Sequence, residues 1–362
     1  MPFRLQSSVT NSVAKSIFIL LAFSLAGCGD NDFDEIKSSI ERSEDGGKNN
    51  QETIEPSPEN PPEPPKVPVE PSTPKNEQAS GSSTFLSLPD GSKLANYRVS
   101  SSALRLATGS GKSFTSSNQS AYKKLKRETQ NEIGHKVQWT FMNLETGKII
   151  ERSLSADKKI FGASSSKIYV AAALLDRLEG KLTKEQTQTM AEMLVVSSNT
   201  AWKDLQREVG SGSSDKGRER IHRFTQRMGY EKTRGFQGYW GDLHGNELTP
   251  DESAQTLYDI YQNNFKGAET LWKIMYTCRT GINRGRRYLP SDLYVGGKTG
   301  SYSGPTENPE NGKSYNVRVK NHLLIFAVDG VQYGLAVLAN SGTDESAALL
   351  AGGLIREHTS IR

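Results

Sequence analysis

From Ser164 to about Tyr276 the chain is written almost wholly in helical period, and strand-like segments lie on both sides of that block. Before it come two alternating runs, Lys136–Asn143 and Lys148–Leu154, joined by Glu145-Thr146-Gly147 in the pattern of a hairpin. After it come three more, near Tyr294–Thr299, Lys320–Val328 and Gln332–Asn340, with Asp329-Gly330 as a tight turn between the last two. A helix over Asn118–Ile133, with Asn118 as its cap, precedes the strands, and a helix over Asp344–His358 closes the series. Two strands, a helical block, three strands and a helix predict an α+β fold. The simplest assembly is a five-stranded antiparallel sheet flanked by helices, with an all-helical subdomain over about 164–276 inserted after the second strand.

Composition divides the chain before this region. The formal charge of the whole is +4, with +2 in residues 1–29 and −8 in residues 30–80, which leaves +10 for residues 81–362. Nine of the fifteen prolines fall between Pro56 and Pro74, among Glu, Ser and Asn. Such a stretch buries too little apolar surface to offset its chain entropy. Residues 28–115 therefore read as a disordered tether, and residues 116–362 as the folded domain. Fifty such residues reach roughly 40 Å as a coil and about 160 Å when fully polyproline-like. A basic domain favours anionic partners such as nucleic acid, acidic lipid or cell-wall polymer.

The first residues read as an export signal. Arg4 and Lys15 precede the apolar run Ile17–Leu25, which is short for a membrane span and suits a signal h-region. The run ends in Leu25-Ala26-Gly27-Cys28, which resembles the lipobox of bacterial lipoproteins. That resemblance implies a signal peptide over 1–27, lipidation of Cys28 and a membrane anchor in the cell envelope. Gly29 after the cysteine implies the outer membrane if the host is Gram-negative. With Cys28 lipidated, Cys278 is left alone, and it reads as a buried apolar cysteine.

Three short elements in the domain could carry chemistry. In Ser164-Ser165-Ser166-Lys167 a serine stands at the start of the apolar helix Ile168–Leu178, where backbone N–H groups are unpaired, and a lysine returns to its face one turn later. A hydroxyl needs a nearby base to become a nucleophile, and a lysine held neutral can serve. The spacing alone decides little, because Ser-x-x-Lys also begins at Ser12, Ser72, Ser120, Ser155 and Ser213. Ser197-Ser198-Asn199 puts a hydroxyl and an amide two residues apart before a further helix; taken alone it reads as a helix cap. Gly297-Lys298-Thr299-Gly300 ends a strand, with a cation, a hydroxyl and two glycines that let the backbone approach a ligand. A phosphate loop is excluded there, since the pattern needs glycine where Asp292 stands; Gly109-Ser110-Gly111-Lys112-Ser113 fails likewise, with Leu106 at the first position. The five histidines have no metal-ligand spacing, and no Gly-x-Ser-x-Gly elbow occurs.

Together and in this order, the elements resemble the Ser-x-x-Lys, Ser-x-Asn and Lys-Thr-Gly set of serine β-lactamases and penicillin-binding proteins. The resemblance is closest to the class A β-lactamases, and covers about residues 136–360. It includes Ala163 before Ser164, the run Ser198-Asn199-Thr200-Ala201 and the helix start Leu248-Thr249-Pro250. It implies that Ser164 attacks an amide or β-lactam carbonyl, that Lys167 takes its proton directly or through water, and that Ser197 passes a proton to the leaving nitrogen. Asn199 would orient the substrate amide, Lys298 and Thr299 would hold its carboxylate, and the N–H groups of Ser164 and Ser301, beside Gly300, would form the oxyanion hole. The implied partners are a β-lactam or a peptidoglycan stem peptide; no cofactor, metal or nucleic acid is expected, and the domain is expected to be a monomer. Two departures stand out. The Lys167–Ser197 segment is shorter than is usual in the family, and the Glu-x-x-Leu-Asn motif whose glutamate releases the acyl-enzyme is missing from Gly229–Glu247, where the acids are Glu231, Asp242 and Glu247. A peptidoglycan carboxypeptidase or endopeptidase is therefore the alternative to a β-lactamase, and a catalytically silent wall-binding lipoprotein the second. Arg284, Arg286 and Arg287 are candidates to assist Lys298, although solvated loop charges explain them better.

Overall fold

A computed structural model describes residues 85–131, 137–237, 245–307 and 314–362. The signal-like segment, Cys28 and the proline-rich stretch lie outside the described residues, as does Asp242. Side chains that alternate between two buried faces set the sheet. In β5 (Val137–Asn143), Val137, Trp139 and Phe141 turn to one face and Met142 to the other. In β10 (Ser314–Val328), Leu324 and Phe326 share the first face, and Leu323 and Ile325 share the second. The full sheet is antiparallel, ordered β6-β5-β11-β10-β9, with β6 Ile149–Arg152, β9 Val295–Glu307 and β11 Val331–Ala339. Asp329 and Gly330 both take positive φ (50° and 80°), the backbone a two-residue hairpin needs, and Val328 pairs with Val331.

Helices cover both faces. On the first face lie α1 (Ser116–Asn131) and α8 (Asp344–His358), which meet over Tyr122, Leu350 and Leu354. On the second lies the inserted block: α2 (Lys167–Arg177), α3 (Lys184–Val195), α4 (Asn199–Val209), α5 (Ser214–Arg227), α6 (Pro250–Tyr261) and α7 (Ala268–Met275). The α+β expectation holds, with eight α-helices among the described residues. The block is not helical throughout, because β7 (Ile160–Phe161) pairs with β8 (Glu247–Leu248) beneath its opening helix. Caps set its boundaries: Thr183 and Gln186 form a reciprocal capping box, and Thr249 caps α6 with Pro250 in the first turn.

The structure corrects three expectations. The cap of α1 is Thr115, whose Oγ1 accepts from Asn118 N (3.2 Å) while Asn118 Oδ1 accepts from Thr115 N (3.0 Å); Asn118 is the far member of the pair. Strands β9 and β10 run well past the expected ends. Their polar extensions carry Tyr302, Val317 and Val319 on one face, packed on Phe161 and Ala163. The third correction is the tether boundary. Residues 85–115 are an ordered arm with strands β1 (Phe85–Ser87), β2 (Lys93–Ala95), β3 (Arg98–Val99) and β4 (Ser102–Ala103). Its apolar residues Leu88, Leu94, Val99 and Leu104 are buried in the core of the helical block. Arg279 fastens the arm by donating to the carbonyls of Val99 (2.9 Å), Ser102 (3.1 Å) and Ala103 (3.0 Å). Widely spaced leucines among Ser and Gly hid this arm in the sequence.

Removing a packed arm residue should therefore be felt. Leu104→Ala in the full chain is expected to lower stability by roughly 2–5 kcal/mol, as for other buried leucines. Urea unfolding measures it, and an unchanged midpoint would return residues 85–115 to the tether.

Candidate active site

Ser164 lies in a 3₁₀ turn, Ala163–Ser166, that feeds α2. That helix is apolar all round and buried from Lys167 to Leu175, so its first turn is firmly held. Within the turn Ser165 and Ser166 are buried, and Ser164 is half-buried. Ala163 is forced to φ +47°, a costly value for a residue with a Cβ, and the surroundings maintain it. Two asparagines brace the turn. Asn321 is fully buried; its Nδ2 donates to the carbonyls of Phe161 and Gly162 (both 2.9 Å), and its Oδ1 accepts from Ala339 N (2.8 Å). Asn246 accepts from Ser166 Oγ, donates to Ala163 O (3.2 Å) and receives Gly162 N on its own carbonyl (2.8 Å). Gly300 of β9 closes on the same turn. A Cβ there would meet Gly162 O at 2.5 Å and Ser165 N at 2.8 Å, so only glycine brings Ser301 alongside Ser164.

Opposite the turn, two buried lysines meet on one hydroxyl. Lys167 Nζ donates to Ser197 O, to Ser197 Oγ (3.2 Å) and to Asn199 Oδ1 (2.9 Å), and lies 5.0 Å from the centre of the Trp202 ring. Lys298 Nζ donates to the same Ser197 Oγ (2.9 Å) and to Thr299 O (2.8 Å). Both lysines are 0% exposed. Ser197 adopts φ +65°, and Ser198 caps α4 by accepting from Ala201 N (3.2 Å). The capping role thus falls to Ser198 and leaves the residues on either side of it to the lysines. With its lone pairs engaged by two N–H donors, the Ser197 hydroxyl has its own proton to give. Asn199, with Oδ1 taken by Lys167, keeps an NH₂ group for a further acceptor.

Burial lowers the Lys298 ammonium to about 8; Cys278 acts against that shift and the Arg284 guanidinium adds to it. Thr299 Oγ1 shares a 2.6 Å hydrogen bond with Thr280 Oγ1, which in turn lies 3.2 Å from Cys278 Sγ. Cys278 is buried, as expected. Arg284 and Arg286 are also buried (7% and 5% exposed), which overturns their reading as solvated loop charges. Arg284 donates to Gly300 O (3.0 Å), Asn321 O (2.8 Å), Ser301 Oγ (2.8 Å) and Asp344 Oδ1 (2.6 Å), and so fixes β9 at the point where it faces Ser164. Asp344 resists its own partial burial, because Arg284 and Lys320 hold its carboxyl below the usual range. Arg287 lies farther out and pairs with Glu345 at 2.9 Å. His322, opposite Thr299 on β10, is kept well below the ordinary imidazole range by burial and by Arg284, Arg286 and Lys298 around it; its Nδ1 accepts from Gly285 N (3.0 Å).

The residues singled out in sequence thus fall into two groups, and β9 runs through both. Lys167, Ser197, Asn199 and Lys298 form one hydrogen-bonded cluster, Thr299 follows Lys298 on the strand, and Gly300 and Ser301 run against the Ser164 turn. No hydrogen bond joins Lys167 to Ser164 among the described residues. Of the acids expected near the cleft, Glu231 is exposed, Glu247 is tied to Lys159 (2.8 Å) and Arg234 (3.4 Å), and Asp242 lies outside the described residues. Asn246, Asn321 and Trp202 were not legible as site residues, since a lone asparagine or tryptophan has no spacing to mark it.

Residues 186–356 match the model of a family described as the beta-lactamase enzyme family. That span includes Ser197, Asn199, Lys298 and Thr299 and begins downstream of Ser164 and Lys167. Among solved structures, the chain is similar to a β-lactamase from Chitinophaga pinensis (19% identity, 65% of this chain and 96% of that one, TM-score 0.51). It is similar too to the TLA-3 extended-spectrum β-lactamase (18%, 67% and 98%, TM-score 0.52) and to a β-lactamase from Xanthomonas campestris (19%, 66% and 98%, TM-score 0.51). No curated protein matches the chain. Identities this low show a shared fold.

The brace behind the turn offers a direct check. Asn321→Ala strips partners from three buried backbone groups and is expected to cost at least about 3 kcal/mol. Denaturant unfolding reads the loss, and a change below about 1 kcal/mol would rule out the brace.

Proposed function

We infer that this chain, which has the fold of the β-lactamase superfamily, is a serine hydrolase that forms an acyl-enzyme at Ser164 with β-lactams or with D-Ala-type amides of peptidoglycan. The observation that carries this reading is the convergence of Lys167 and Lys298 on Ser197 Oγ, across the cleft from a serine held half-exposed at the head of a buried helix. In the proposed step, Lys167 starts as the neutral amine; Ser164 Oγ bonds to the carbonyl carbon and its proton passes to Lys167, directly or through water. The carbonyl electrons collect on oxygen, facing the N–H groups of Ser164 and Ser301; one such donor is worth about 10²–10³ in rate. As the C–N bond breaks, the nitrogen takes the Ser197 proton, which a lysine N–H replaces. Asn199 Nδ2 receives the substrate's side-chain carbonyl, and Lys298 with Thr299 holds its carboxylate.

Peptidoglycan carboxypeptidase or endopeptidase activity is the second reading. The position of the described acids favours it, since Glu231 is exposed and Glu247 is engaged by two cations, so neither is set to activate a water at Ser164. We further propose that the protein works in the bacterial cell envelope, anchored by lipid on Cys28. The tether would then end before residue 85, where the arm joins the core.

Intact-mass spectrometry after addition of a penicillin tests the reaction. Wild type should gain the mass of the antibiotic and Ser164→Ala should gain none. A shift that decays within minutes identifies a β-lactamase, and one that persists identifies a penicillin-binding enzyme; no shift in wild type overturns the acyl-enzyme. The acylation constant should also report Lys298. Its ammonium is charged below about 8 and loses its proton above, so capture of a carboxylate-bearing substrate should weaken as pH rises through about 8. Lys298→Arg should carry that limb upward. A wild-type profile flat from neutrality to well above that point would exclude the role.

A further inference from the structure

Behind the wall of the cleft lies an open cavity of about 550 Å³, between the arm and the segment Thr277–Arg286. Arg105, Arg279 and Arg286 line it, and no carboxylate is found among the described residues that do so. The donors of two of these arginines go to neutral carbonyls. Arg279 takes those of Val99, Ser102 and Ala103. Arg286 takes Thr108 O (3.2 Å), Arg279 O (3.1 Å) and Thr280 O (2.9 Å). Arg286 is 5% exposed, and its Nε has no hydrogen-bond partner among the described residues. Burial pulls its guanidinium below the ordinary value. Arg105 is exposed at the rim, with no hydrogen bond or ion pair among the described residues. A buried guanidinium on a cavity wall that has no carboxylate among its described residues is unfavourable, since a buried cation is costly unless paired. The planar fork of Arg105, which has no hydrogen bond or ion pair among the described residues, suits an oxyanion, with the charges of Arg279 and Arg286 behind it.

The cavity wall is also wired to the cleft. Cys278 lines the cavity and shares a hydrogen bond with Thr280 Oγ1, which is bonded to Thr299 Oγ1 on the other side. Arg286 holds the carbonyl of that same Thr280. A Cβ on Gly281, between them, would lie 2.8 Å from Thr299 Cγ2, so the wall has no slack. We propose that this cavity is a second binding site, for a phosphate-type dianion, and that its occupancy is relayed through Thr280 to Thr299. The relay rests on the carboxylate-binding role given above to Thr299; the anion site does not.

Titration calorimetry of the full chain with inorganic pyrophosphate in 150 mM salt, about physiological ionic strength, tests the site. Wild type should bind one equivalent. Arg105→Ala should bind roughly tenfold more weakly, the loss expected for one charge-assisted hydrogen bond, and Arg105→Glu should not bind. Arg105 is exposed and makes no hydrogen bond or ion pair among the described residues, so these variants should melt as wild type does. Absence of one-to-one binding, equal binding by Arg105→Glu, or loss of binding in Lys298→Ala instead would each overturn the site. Capture by phosphatidic acid vesicles, whose headgroup is a phosphomonoester, that Arg105→Glu abolishes would identify a lipid headgroup as the source of the phosphate, and pyrophosphate binding without capture a soluble ligand. For the relay, saturating pyrophosphate should change the half-saturating penicillin concentration at least threefold and leave the limiting acylation rate alone; no change would overturn it. A protein that binds pyrophosphate but is not acylated keeps the anion site and loses the reading of Ser164, so the two failures are told apart.

Discussion

The molecule is organised around an expensive meeting: two lysine amino groups removed from water and aimed at one hydroxyl. Lys167 and Lys298 come from opposite sides of the fold, the first from the inserted block and the second from the sheet. Burying either costs several kcal/mol unless its donors are met. Ser197, Asn199, the Trp202 face and the Thr299 carbonyl meet them. Those partners stand where they do because Ser197 is held at a strained φ and Ser198 takes over the helix cap. The scaffold thus spends stability on a constellation that a merely stable fold would avoid.

The same economy explains the glycines and asparagines at the head of α2. A strand and a 3₁₀ turn are brought to backbone contact at Gly300, and the carbonyls made inaccessible to water there are returned partners by Asn321 and Asn246. Arg284 adds charge to this brace and ties it to α8 through Asp344. A fold shared with β-lactamases at under a fifth identity is what such a division predicts. Layered packing tolerates many sequences, whereas a handful of positions at the layer junction tolerate few.

How much of this the sequence disclosed follows the range of the forces involved. Strand alternation in 137–143 and 331–339 and the Asp329-Gly330 turn are local properties, and the five strands were legible. The polar ends of β9 and β10 and the arm over 85–115 were not, because their order comes from contacts with Phe161, Ala163 and the helical block, far away in sequence. Ser197/Asn199 and Lys298/Thr299 were legible through spacing. Arg284 was ambiguous, since a guanidinium between sheet and helix and one in a loop look alike until the carbonyls around them are known.

The link between Arg284 and Asp344 has a consequence in time. Ser164 is synthesised early in the domain, but the strand that faces it is fixed by a helix made long afterwards, and β5 pairs with β11 rather than with the strands nearest to it in sequence after the insertion. Contacts of such separation form slowly and together. A nascent chain therefore carries Ser164 before the contacts that fix the strand alongside it can form.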